Sequence, residues 1–274
     1  IHLLFKRGQS TPGVRETKMK KFTKSVVSAS VAAVMMGGAT IAQAADSVNV
    51  AFFLEWATPN QISKVEKAYD DAMGVKVNWT DFKTGTAMTE AMLAGDIDIA
   101  YSQGLSPFVT AIQQGHPLKM VGVAMEYPAN NCYIKNGLGI DASNASELEG
   151  KTVAVPLNTM ADFAFRSYMK HFNVDVSTMN IVDQEPADGA KSLADGNVDM
   201  ACIFGGNSSK AAAEVGAAIM TDAQKVDAGI GSFDVVSVTE DFATKNPGLL
   251  RTFMEVTAEA NSAWTGDAAQ LAIV

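Results

Sequence analysis

Cysteine and histidine are nearly missing from this chain. Its 274 residues hold two cysteines and three histidines. His2, His116 and His171 form no pair at metal-ligand spacing, so neither a zinc site nor any other metal or cofactor is expected. No Gly-x-Ser-x-Gly elbow, phosphate loop or Cys-x-x-Cys pair occurs, and no catalytic constellation stands out. Past Ala42, no run approaches the ~20 apolar residues that cross a bilayer. Positive charge is scarce too. From Ala45 onward, 14 basic residues face 29 acidic ones, a net charge of about −15. Such a surface repels nucleic acid and anionic lipid and argues against both as partners. The 14 methionines read as core filler and leader composition.

The N-terminus is different. Met19-Lys20-Lys21-Phe22-Thr23-Lys24 is a basic n-region, Val26 to Ala42 an apolar run, and Ala42-Gln43-Ala44 a small-residue cleavage site. Residues 19–44 are expected to be a secretory signal peptide cleaved after Ala44, and residues 1–18 an upstream leader ahead of the true start. In an exported chain, Cys132 and Cys202 are expected to form one disulfide, with two buried free thiols as the alternative. Closing that loop would contribute about 4 kcal/mol in a chain-entropy description.

What the chain does have is a repeat. Leu93-Ala94-Gly95-Asp96-Ile97-Asp98-Ile99-Ala100 returns as Leu193-Ala194-Asp195-Gly196-Asn197-Val198-Asp199-Met200-Ala201. Each copy closes a helical pattern at glycine and passes into a short apolar strand. The copies lie too far apart for a solenoid; they read as equivalent places in two lobes with a cleft between them, the alternative being a common way for a chain to leave a helix. The patterns predict an opening strand at Ser47 to Phe53 and a helix from Pro59 to Met73 capped by Thr58. Strand and helix alternate up to Gln114, a polar crossing spans Glu126 to Asn131, and a second alternating set runs from Thr152 to Val215. A strand at Asp234 to Val238 returns to the first lobe, and a helix runs to about Trp264.

Open parallel sheets bind ligands at strand C-termini, and four predicted loops there supply candidates. Glu55 and Trp56 offer a carboxylate and an aromatic face. Ser102, Gln103 and Ser106 precede a helix, whose first N–H groups favour an anion. Thr159 and Asp162 sit at the matching loop of lobe two, where simple helix capping is the rival reading. Gly205 and Gly206 allow close backbone approach, or serve an ordinary turn.

Several passages together resemble the taurine-binding periplasmic proteins of ABC importers. They are the repeat with Ser106-Pro107 after it, Leu148-Glu149-Gly150-Lys151-Thr152-Val153-Ala154-Val155-Pro156, Phe233-Asp234-Val235-Val236-Ser237-Val238, Asp241-Phe242-Ala243, Asn246-Pro247, Glu55-Trp56 and Gly205-Gly206. The resemblance implies an α/β, two-lobed type II periplasmic binding fold, each lobe a mostly parallel sheet flanked by helices. Lobe one would cover residues 45–128 and 234–274, C-terminally incomplete, and lobe two residues 129–233. It implies a monomeric periplasmic binding protein, not an enzyme, that passes taurine or a related small zwitterionic sulfonate or amine to an ABC permease and its ATPase. Asp234 would take the ligand's ammonium and Ser102 to Ser106 its sulfonate. Where such proteins tend to show Thr-His-Tyr, this chain has Ala161-Asp162-Phe163, which shifts the expectation toward a ligand with more amine character. The alternatives are a binder of another small amine or thiamine-precursor-like solute, and an enzyme on the same scaffold.

Overall fold

A computed structural model describes residues 45–54 and 56–273; the segments expected to be leader and signal peptide lie outside them, as does Glu55. In chain order, β1 (Ser47–Phe52), α1 (Asn60–Val65), α2 (Ala68–Met73), β2 (Lys76–Asp81), α3 (Gly85–Ala94), β3 (Ile99–Gly104), α4 (Leu105–Gln113) and β4 (Leu118–Pro128) come first. There follow β5 (Asn131–Lys135), β6 (Thr152–Val155), α5 (Met160–His171), β7 (Asn180–Asp183), α6 (Pro186–Asp195), β8 (Met200–Ile203), α7 (Gly206–Val215), β9 (Gly216–Ala218) and α8 (Asp222–Asp227). The chain then returns through β10 (Gly231–Thr239), α9 (Glu240–Lys245), α10 (Pro247–Ala263) and α11 (Ala268–Leu271).

The strands form two five-stranded sheets of matching order, β2-β1-β3-β10-β4 and β7-β6-β8-β5-β9. In each, three parallel strands are joined by an antiparallel one, β10 against β3 and β5 against β8. Both faces of both sheets are covered, as strands that are apolar on both sides require. In the first sheet Val48 and Val50 face the layer of α2 and α10, and Ala51 and Ala100 face α3 and α4. In the second, Val153, Val155 and Met200 face α5, while Ala154 and Ala201 face α6 and α7. Alanines on the equivalent face let the helices approach closely: a Cβ on Gly189 would lie 3.5 Å from that of Ala154.

The repeated passage does the same work in each lobe. α3 and α6 end at Gly95 (φ 85°) and Gly196 (φ 77°), in the left-handed conformation that suits glycine. Asp98 then accepts the Asn49 N–H at 2.8 Å and donates its own N–H to Asn49 at 2.9 Å. Asp199 does likewise with Thr152, at 2.9 Å in both directions.

Three local expectations change. The helix expected from Pro59 to Met73 is two short helices, because Lys67 turns left-handed (φ 61°) between them. Thr58 is not its cap; Gln61 instead reaches back to the carbonyls of Phe53 and Trp56. β3 runs on through Ser102, Gln103 and Gly104, so the loop expected there is strand. α8 was not read from the pattern, although Thr221 and Gln224 form a capping box that signals it.

Candidate functional site

The C-terminal ends of the two sheets face a cavity of about 280 Å³. From the first sheet come Phe53, Leu54 and Trp56 after β1, Asp81 to Lys83 after β2, Gly104 and Pro107 after β3, and Tyr127 and Asp234 on β4 and β10. Across it lie Thr159 and Met160, Glu185 to Ala187, and Phe204, Gly205 and Ser208. Asn130, on the two-residue link from β4 to β5, lines it as well. The lobes touch around it: Lys83 Nζ lies 3.5 Å from Glu185, the Phe53 and Phe204 rings meet edge-on at 6.2 Å, and the Ser106 N–H points at Met160 Sδ at 3.1 Å.

Asp234 is the central electrostatic feature. It is 4% exposed, and Ser102 Oγ and Tyr127 Oη donate to its two oxygens at 2.7 and 2.8 Å. No lysine, arginine or histidine among the described residues pairs with it. Burial pushes its pKa up to about 6, against the pull of the two hydroxyls. Burial and the neighbouring charge hold Tyr127 above the usual phenol range, so it remains a donor.

The candidates from the sequence separate. Trp56, Thr159, Gly205 and Asp234 line the cavity. Ser102 supports Asp234 from beneath, in a left-handed conformation (φ 65°). Gln103 points away from the cavity, to Thr89 and Ser237 in the core. Ser106 and Asp162 border a separate open groove between α4 and α5, where Asp162 accepts from Asn158 N and Arg166 Nε. The stretch Ser102 to Ser106 is therefore divided, with the Ser102 hydroxyl and the Gln103 amide satisfied inside the fold and the Ser106 N–H turned to Met160 Sδ. Glu55 lies outside the described residues. Sequence reading missed Tyr127, Asn130 and the loops after β2 and β7. The strand-end rule that found the other four loops applies to these two equally, since β2 and β7 are parallel strands of the same kind.

Residues 62–268 match the sequence model of the NMT1/THI5-like family. The chain belongs to that family. The NMT1/THI5-like chain is 25% identical over 224 residues to the taurine-binding periplasmic protein of Escherichia coli (strain K12), covering 81% of itself and 68% of that protein. Its fold is shared with the alkanesulfonate-binding protein of Xanthomonas axonopodis bound to MOPS (TM-score 0.72, 16% identity, 84% and 78% of the two chains). The periplasmic nitrate-binding protein of Synechocystis PCC 6803 shares it as well (TM-score 0.67, 17% identity, 83% and 65%). These likenesses place the two sheets as the two lobes of one shared fold.

Proposed function

We propose that the chain is the solute-binding component of an ABC importer, working in the periplasm on a small zwitterion that carries an ammonium group, as taurine does. One observation carries the reading: a buried carboxylate, Asp234, lines a ligand-sized cavity and has no cation among the described residues as partner. An uncompensated buried charge is costly, and a ligand's ammonium would compensate it. The ligand's acidic group would lie at the start of α7. There Gly205 (φ 88°) brings the backbone to the cavity, no side chain caps the helix, and Ser208 lines the cavity beside it. Such a ligand touches both lobes, so it favours the closed arrangement, which the permease would read. The relatives' names support the transport role.

Thermal unfolding of the full chain with taurine, alkanesulfonates, amino acids and their N-methylated analogues tests this. A cognate ligand at a hundred times its Kd should add about 2.7 kcal/mol of stability. A panel in which no ammonium-bearing zwitterion raises the melting temperature would refute the reading.

A further inference from the structure

We infer that the ammonium group this cavity takes is N-methylated, a trimethylammonium and not a primary amine. The inference rests on the proposed role of Asp234 and names the chemical class of the group beside it.

A primary ammonium brings three N–H donors, and each wants an acceptor once water is excluded. Around Asp234 acceptors are few. Each of its oxygens already receives one hydroxyl, from Ser102 and from Tyr127, which leaves about two acceptor sites for three N–H donors. The Asn130 side-chain carbonyl is walled in by protein and meets no donor, so a ligand does not reach it. Thr159 Oγ1 is engaged with the backbone at Pro156 and Ala161. Much of the cavity that Asp234 lines is aromatic instead. Tyr127 touches it directly, and the Trp56 ring packs against the Tyr127 ring at 5.0 Å between centroids. Trp56 is held in place by its Nε1–H, which points at Met125 Sδ. Phe53 and Phe204 close the same cavity from the two lobes.

A trimethylammonium needs no acceptor. Its charge is spread over methyl groups, which pack on ring faces and are drawn to their negative quadrupole, while a nearby carboxylate neutralises it. The charge balance fits a cation. Asp81, Glu185 and Asp234 line the cavity against Lys83 alone among the described lining residues, and Lys83 is paired with Glu185.

Calorimetry on the full chain with two matched pairs decides the matter: taurine against N,N,N-trimethyltaurine, and ethanolamine against choline. Within each pair only the nitrogen substituents differ. The methylated member should bind at least tenfold more tightly in each pair that binds, and Trp56→Leu should shrink that gap to threefold or less. A primary amine bound as tightly as its methylated partner, or a gap that survives Trp56→Leu, overturns the inference and leaves the proposed function standing. If none of the four compounds binds, the ammonium role of Asp234 falls and the inference falls with it.

Discussion

The two lobes are built on one frame and diverge at one place. In each, a parallel strand after the repeated aspartate pairs with an antiparallel strand, and the pairing ends in an equivalent bond. Thr239 donates to the Asp98 carbonyl at 3.0 Å, and Lys135 to the Asp199 carbonyl at 2.9 Å. Counting back from those bonds, the second lobe ties its two strands with Cys132–Cys202, both at most 1% exposed. In the first lobe the same count of three reaches Val236 and Tyr101, and Asp234 and Ser102 lie two and one positions beyond them, past a bulge in the pairing of β10 with β3. One lobe uses this pair of strands for a covalent tie, and the other, a little further along, for a buried charge.

The largest effect that can break this comparison lies in the second lobe. Replacing Cys132 and Cys202 together with alanine reopens a loop with a sequence separation of 70. Chain entropy puts the loss at about 4 kcal/mol. Denaturant unfolding should show it as a lower midpoint, with ligand affinity unchanged once the protein is folded. A comparable loss of affinity would mean that the disulfide holds the site, and the division between the lobes would fail.

Asp234→Asn should do the reverse. Losing a charge-assisted contact should weaken an ammonium ligand by about 1.5 to 3 kcal/mol, roughly ten- to a hundredfold. The empty protein should not suffer. With its pKa raised to about 6, the native Asp234 holds a proton that the unfolded chain has already released, so its contribution to stability falls as pH rises from about 4 to 6 and stays lost above. Asparagine escapes that loss, which amounts to at most about 3 kcal/mol. The variant should therefore unfold at an equal or higher temperature than the parent at pH 7.5, and the difference should vanish near pH 4. Ligand binding should show the complementary profile. Affinity should fall as pH drops below about 6, because the cation must displace the proton. A pH-independent Kd between 5 and 8 would show that Asp234 is not the ammonium's partner.

Periodicity and glycine placement made the frame legible in the sequence. Gly95 and Gly196 close helices because few other residues accept that conformation, and the strands after them are apolar because both their faces are covered. The site was less legible, for two physical reasons. First, β3 continues past its apolar run through Ser102 and Gln103. Those polar residues are satisfied inside the fold, by Asp234 in one case and by Thr89 and Ser237 in the other, and composition alone reads them as loop. Second, Tyr127 and Asn130 belong to the site through the return of β10 beside β4, a pairing between residues more than a hundred positions apart. The Asp234 candidate came from family resemblance, and no local pattern marks it.

The smallest effect concerns a contact that belongs to neither lobe. Lys83 follows β2 and Glu185 follows β7, equivalent strands, and the two side chains meet across the cleft at 3.5 Å. Both are largely exposed, 79% and 46%, so solvent screening limits the pair to about 0.2 to 1 kcal/mol. That energy exists only while the lobes are closed, since opening separates the partners. Lys83→Ala should therefore leave the unliganded melting temperature and the association rate nearly unchanged, and raise the ligand dissociation rate by up to about fivefold. Glu185→Gln should do the same, and the double variant should add nothing further, which stopped-flow dissociation can resolve. Raising the salt from 50 to 500 mM should speed dissociation in the parent more than in either variant, because screening already removes what the substitutions remove. Additive effects of the two substitutions would show that each residue acts on its own, and that closure is held by the ligand and the aromatic contacts alone.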